Sequence, residues 1–310
     1  MTLARRRFIQ GASSAAMGGL LGLRLSAQQA APALQLSAYQ VGPQIWVRCD
    51  GATLACYRAH STQKYPYFFP LAGPATGIPL TTESSEPYPH HRSVMLACDR
   101  VNGADYWQEG LERGQIVSRG PTVEASEAGR AVIVDACDWR AQDQPVDVTD
   151  QRRFTISAPS AEVRLLEADL TLIAARDVQI ARTNHSLFAV RCAPELSPTG
   201  GGTLINSEGQ SGEKATFGQK AAWCAFSGER FGATEGVALM DHPANPWSPC
   251  PWFTRDYGFI SPTPMNWLPE QGLSLAQGGS LRLRYLVVAY AGTPQAADLP
   301  GLYARWSAAG

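Results

Sequence analysis

From about Leu34 onward the chain is broken into short apolar or alternating runs by clusters of Gly, Pro, Asp and Asn. The runs include QIWVRC (44–49), ATLACYRA (52–59), RAVIVDACDWR (130–140), RRFTISA (152–158), EVRLLEADLTLIAA (162–175), HSLFAVRCA (185–193), EGVALMD (235–241) and SLRLRYLVVAYAG (280–292). Alternation with period two sends successive side chains to opposite faces, so these runs predict strands with one face on a core and one in water. Only ADYWQEGLERG (104–114), as a short helix or a lid, and PGLYARWSAA (300–309) suggest helix, and neither is long enough to build a layer. Without regular alternation of strand and helix a parallel α/β sheet is excluded, and the expected fold is all-β, a single-domain antiparallel β-sandwich. The Pro- and Gly-rich segments 194–212 and 243–264 are expected to be long functional loops.

The 310 residues carry 26 Lys plus Arg against 27 Asp plus Glu, so no net field favours nucleic acid or an acidic membrane surface. At the N-terminus Arg5, Arg6 and Arg7 precede Phe8 and Ile9, a weakly apolar Ala- and Gly-rich stretch, and a small-residue exit near Ala27. This is the anatomy of a signal peptide, and the paired arginines resemble the twin-arginine export signal. The expected division is residues 1–31 as leader and 32–310 as the sandwich, placing the mature protein in the periplasm or outside the cell. The leader's apolar stretch is shorter than the roughly 20 residues a spanning helix needs, so no membrane span is expected after cleavage. The seven cysteines lie far apart without any CxxC pair, which argues against a zinc module and for mostly reduced, buried thiols.

Three segments concentrate chemistry. In YPHHR (88–92), His90, His91 and Arg92 offer a proton carrier, a neutral imidazole and a fixed cation within a few residues. Neighbours in a strand face opposite ways, so both histidines reach one site only if they lie on a turn, which Pro87 and Pro89 favour. In NSEGQSGEKATFGQK (206–220), Glu208 is a candidate general base with a histidine as acid. In residues 240–267, His242, Asn245, Arg255 and Asp256 stand among Trp247, Trp252, Tyr257 and Trp267, and six prolines stiffen the segment. Aromatic faces with a few directed polar groups suit sugar rings. His185, at the start of a strand, is a fourth histidine that could converge on the same site.

YPYFFPLAGPATGIPLT (65–81), YPHHRSVMLACDRVNGADYW (88–107), GGTLINSEGQSGEKATFGQKAAWCAFSG (201–228) and HPANPWSPCPWFTRDYGFIS (242–261) together resemble the bacterial PmoA-like family of unknown function. The similarity runs from roughly Tyr65 to Tyr290. It implies an exported protein of polysaccharide-degrading bacteria, often encoded near sugar dehydrogenases, with a sandwich of mutarotase-like or carbohydrate-binding type. It singles out His90, His91, Arg92, Asn206, Glu208, Gly209, Gly218, Trp223, His242, Asn245, Pro246, Trp252, Arg255, Asp256, Tyr257 and Gly258. Phe217 departs from the family's expected Trp and suggests an altered pocket wall. No mechanism comes with the resemblance.

The leading expectation is an enzyme of glycoside hydrolase, lyase or sugar isomerase type, working by His/Glu acid–base catalysis. His90, His91, Glu208 and His242 would be catalytic. Arg92, His185, Asn206, Trp223, Asn245, Trp252, Arg255, Asp256 and Tyr257 would hold a sugar or oligosaccharide. Of the two adjacent histidines, His91 is expected to do the chemistry and His90 to orient or cap it. A non-catalytic carbohydrate-binding protein is the second class. A third is a metal-dependent enzyme with zinc, copper or iron on His90, His91 or His185, and His242; otherwise no cofactor is expected.

Overall fold

The run Val163–Ala174 shows how the sequence pattern becomes a layer: from Leu166 onward every second side chain is buried, as a strand with one face on a core requires. The structure is a computed structural model and describes residues 34–309. The expected leader, residues 1–31, lies outside the described residues. Two large antiparallel sheets carry the chain. The first has eight strands, in the spatial order Leu36–Val41, Gln44–Cys49, Ala52–Arg58, Tyr67–Leu71, Val94–Cys98, Ser186–Arg191, Phe259–Pro262, Trp252–Arg255. The second has nine, along Thr203–Asn206, Trp223–Arg230, Ala233–Asp241, Ser280–Ala291, Val163–Ala174, Val148–Ser157, Arg130–Arg140 and Gln115–Ser118, with Thr122–Glu127 also paired to Arg130–Arg140. All eight runs read as strands from the sequence are strands, and the all-β antiparallel sandwich is the fold.

The two sheets meet through large rings. Phe154 of the second sheet touches Tyr57 and Phe68 of the first, at 5.3 and 4.8 Å between centroids, and Phe188 stacks on Tyr285 at 4.8 Å. Polar groups inside this layer are paired, as burial demands. The Tyr57 hydroxyl donates to Asp135 Oδ2 at 2.8 Å across the sheets. Asp150 accepts from Arg152 Nε at 2.7 Å and from Trp139 Nε1 at 2.6 Å. A second apolar cluster covers the opposite face of the nine-stranded sheet. There the helix Leu299–Ala308 lays Leu299 and Trp306 beside Trp223, Met240, Leu286 and Val288. Asp298 caps its start by accepting from the Gly301 N–H.

Two sequence expectations are corrected. Residues 104–114 hold only the 3-10 turn Leu111–Arg113, because Gly110 and Gly114 take φ of 100° and 147° on either side and stop any helix. The Pro-rich segment 243–264 is not loop throughout. It supplies the edge hairpin Trp252–Arg255 and Phe259–Pro262, where the prolines at its ends leave no ladder donor missing from a central strand. The helix at 300–309 and the buried thiols are as read. All seven cysteines are free and buried, and burial pushes every thiol upward in pKa. None of the seven is therefore expected to label with a thiol-reactive dye in native protein, and all seven should label on unfolding. A dye-reactive thiol in the folded state would contradict the burial. Among the described residues no helix is long and apolar enough to cross a membrane.

Candidate functional site

The edge hairpin sets one wall of the site. Arg191 is directly opposite Phe259, and Phe259 directly opposite Arg255, so these three side chains form one row across three strands. Phe188, three residues before Arg191, points the other way onto Tyr285 of the second sheet. The row therefore lies on the face turned away from the sandwich interior. The segment around Tyr88–His91 roofs it. A turn closed by the His91 N–H donating to the Tyr88 carbonyl at 3.0 Å brings both imidazoles to one side, 4.5 Å apart between ring centroids. This is the geometry the adjacent pair needs to share a site.

Below that roof is a cavity of about 160 Å³ lined by Tyr88, His90, His91, Trp107, Gln108, Asn184, His185, Phe253, Arg255, Tyr257 and Phe259. It shares Gln108, Asn184 and His185 with a wider polar cleft of about 680 Å³ that continues over Asp99, Arg100, Asn102 and Asp105. His185 stands at the junction. Its Nδ1 donates to Asp99 Oδ2 at 2.8 Å, and its ring stacks on Trp107 at 5.5 Å and 19°. With Nδ1 committed to the carboxylate, Nε2 is the free nitrogen, and among the described residues no protein group hydrogen-bonds it. His90 is 6.4 Å from His185 between centroids.

Burial separates the histidines chemically. His91 is only 4% exposed, packed 4.4 Å from Phe259, and burial with the positive surroundings of His90 and Arg191 pushes its pKa down to about 2. It is a neutral wall, not a proton carrier near neutrality, which reverses the expected order of the pair. His90 is half-buried and shifted downward, by burial first and by His185 next. Two residues of its lining carry buried polar atoms with no protein partner, His91 Nδ1 and Trp107 Nε1; Asp99 Oδ1 in the adjoining cleft and Arg191 Nε and Nη1 beyond the Tyr257 ring also have none. Buried polar atoms are normally satisfied, so the orphans of the lining suit the cavity to a polar ligand.

The predicted site residues divide. His90, His91, His185, Arg255 and Tyr257 meet at the cavity. Arg92 sits just outside it, bound to Glu109 Oε1 at 2.8 Å and lying over the Tyr67 ring. Asp256 supports rather than lines it: its Oδ1 accepts from the Glu213 N–H at 2.8 Å while Glu213 Oε2 accepts from the Asp256 N–H at 2.9 Å. That exchange, begun by Gly212 at φ 75°, aims Glu213 Oε1 at Arg255 Nη1, 2.6 Å away. Phe217, where the resemblance led to the expectation of Trp, lies under the same guanidinium at 4.8 Å and does not line the cavity.

The remaining residues serve the fold. Glu208 is exposed on a turn, held by Ser207 Oγ at 2.9 Å, and does not line the cavity. Asn206 makes that turn, its Oδ1 accepting from the Glu208 and Gln210 N–H groups. His242 packs edge-on against Trp306 of the C-terminal helix at 4.8 Å, among residues that cover the other sheet. Trp223 belongs to that cluster. Asn245 bridges Asp241 and the Arg284 backbone. Trp252 is fully buried and donates to the Ala221 carbonyl at 2.9 Å. Of the nearby carboxylates, Asp99 and Asp105 line the adjoining cleft and Glu213 pairs with Arg255. Sequence reasoning missed Asp99, Tyr88, Trp107, Gln108, Asn184, Arg191, Phe253 and Phe259. The sequence carried no signal for Asp99, which follows the strand Val94–Cys98 and meets His185 only because the sheet sets that strand beside Ser186–Arg191. Among the described residues no three His, Cys, Asp or Glu side chains are grouped to hold a metal ion.

Comparison with known proteins adds the following. No curated protein matches the sequence. Among solved structures, a candidate aldose 1-epimerase of Escherichia coli K12 is a distant likeness at 12% identity and a TM-score of 0.36, over 84% of this chain and 99% of that one. A family model matches residues 44–304, most of the chain and all of the cavity, and the chain belongs to the family of unknown function DUF6807.

Proposed function

We propose that the cavity is the active site of an exported enzyme that transfers protons on a sugar or glycoside, with His185 and His90 as the acid–base pair. The observation that carries this reading is the Asp99–His185 hydrogen bond at 2.8 Å, set at the mouth of an aromatic-walled cavity with unpartnered polar atoms around it. Asp99 holds the ring in one tautomer and offsets the charge His185 gains when it carries a proton. His90, shifted toward its neutral form, stands across the cavity to accept one. The 6.4 Å between the two rings leaves room for a hydroxyl or C–H group between them. Tyr88, Trp107, Tyr257 and Phe259 supply faces for the C–H side of a sugar, and Asn184, Gln108 and Arg255 meet its hydroxyls.

Of the reactions considered, isomerisation and elimination fit better than hydrolysis. Hydrolysis of glycosides commonly uses two carboxylates flanking the bond, and no Asp or Glu lines this cavity. Asp99 is held by His185 and Glu213 by Arg255.

Deuterium wash-in from heavy water into a panel of sugars and uronates, read by mass spectrometry, tests the reading without knowledge of the product. The expected result is exchange by the wild type that His185→Ala reduces about 100-fold or more, with Asp99→Asn intermediate. Exchange untouched by His185→Ala removes the dyad from the chemistry. Sugar binding with neither deuterium exchange nor an unsaturated elimination product from any member of the panel would leave the carbohydrate-binding protein as the function.

A further inference from the structure

Among the described residues three arginines are 6% exposed or less: Arg152, Arg191 and Arg230. Arg152 is paired with Asp150 and Arg230 with Glu235, at 2.7 and 3.3 Å. Arg191 pairs with no carboxylate among the described residues. Its Nη2 donates to the Glu86 carbonyl at 3.2 Å, its guanidinium lies 4.5 Å over the Tyr257 ring, and Nε and Nη1 have no partner. A buried cation in that condition is costly to keep.

Its position relates it to the cavity. Arg191 opens the row continued by Phe259 and Arg255, and Tyr257 and Phe259 both line the cavity. Two other arginines beside the cavity have carboxylate partners, Arg255 with Glu213 and Arg92 with Glu109. Arg191 is the buried arginine at this place without one. Behind aromatic walls, where little water screens it, its field extends into the cavity. Burial also lowers its pKa, with only Cys192, Tyr257 and Tyr88 opposing, so no acidic side chain stabilises its charge in the free protein.

We infer that the cavity takes a sugar bearing a carboxylate, a uronate, whose anion Arg191 attracts with the unpartnered Nδ1 of His91 beside it. The inference rests on the proton-transfer reading and deepens it. A C–H bond next to a carboxylate becomes acidic enough for an imidazole to attack only when the carboxylate's charge is offset. In an elimination, the base nitrogen takes the C5 proton and the C4–O bond breaks as a C4=C5 double bond forms. The departing oxygen then takes a proton from the acid. Arg191 is a positioning residue in this scheme, because the aromatic rings stand between it and the cavity.

Calorimetric titration of the mature chain with D-glucuronate, D-galacturonate, D-glucose, D-galactose and acetate, for the wild type and Arg191→Met, tests the inference. A uronate should bind at least tenfold more tightly than its neutral counterpart. Arg191→Met should abolish that ratio, leave neutral-sugar affinity within about twofold, and raise the melting temperature, since it removes an uncompensated buried charge. A structural arginine would instead lower the melting temperature and leave the ratio alone. Equal affinity for uronate and neutral sugar, or a ratio that survives Arg191→Met, overturns the proposal while sugar recognition stands. Acetate binding as tightly as the uronates, lost in Arg191→Met, keeps the anion site and removes the sugar. No binding by any probe overturns it. Should Arg191→Met not fold, the wild-type ratio decides alone.

Discussion

Replacing His91 by Phe is expected to flatten the acid limb of the protein's stability. The imidazole has a pKa of about 2 in the folded state, against 6.5 when exposed. Between those values the unfolded chain binds a proton that the folded chain refuses. The stability this group contributes is therefore fully present above about pH 6.5 and falls by roughly 1.4 kcal/mol for each unit of pH below it. Two units below, the loss is on the order of 3 kcal/mol, a large share of a typical domain's stability. His91 packs on Phe259, Tyr257 and Trp107, so a phenyl ring suits its site and removes the titration without opening a large cavity. His90 and His242, also shifted downward, should leave a shallower slope, and Asp241, raised to about 6 by burial, acts in the opposite sense. Denaturant unfolding of wild type and His91→Phe at pH 7 and pH 4.5 measures the difference. Equal losses in the two proteins would show that His91 is not the acid-sensitive group.

The second large effect concerns the interior of the sandwich. Arg152→Met should destabilise the protein by about 3–5 kcal/mol, because it leaves Asp150 fully buried with Trp139 as its remaining partner. Arg152 and Asp150 are 1% and 0% exposed and meet at 2.7 Å, so neither can turn to water. Replacing both, as Arg152→Met with Asp150→Leu, should recover most of that loss. What remains would be the orphaned indole N–H of Trp139. Urea denaturation of the two variants checks this, and a double variant no more stable than the single one would mean that packing, not the stranded carboxylate, sets the cost. The same reasoning separates Arg152 from Arg191. Both are buried, but removing a paired cation strands a buried carboxylate, whereas removing Arg191 frees only the Glu86 carbonyl.

Much of the fold was legible because its strands announce themselves locally. Arg130–Arg140 and Ser280–Ala291 coincide with runs visible in the sequence, since a half-buried strand must alternate. The misread segments were those where local composition and tertiary role diverge. Proline-rich 243–264 looked like loop, yet an edge position tolerates proline, and edge position is a property of the assembled sheet. The site was half legible for a similar reason. His90, His91, Arg255 and Tyr257 belong to segments whose composition is unusual on its own. Glu208 and His242 belong to equally unusual segments and serve a turn and a helix contact.

The amino-acid pattern by itself determined the all-β class and the concentration of histidine, arginine and aromatic side chains in a few segments. Only the tertiary structure decided what those groups can do. It opposed Arg191 to Phe259 and Phe259 to Arg255 in one row, set Asp99 at the end of the strand paired with that of His185, and buried His91 out of reach of protons. Strand alternation is a short-range consequence of backbone geometry, whereas charge pairing and desolvation depend on neighbours dozens of residues away. The two adjacent histidines accordingly look equivalent in the sequence and differ in the fold by how much water each retains.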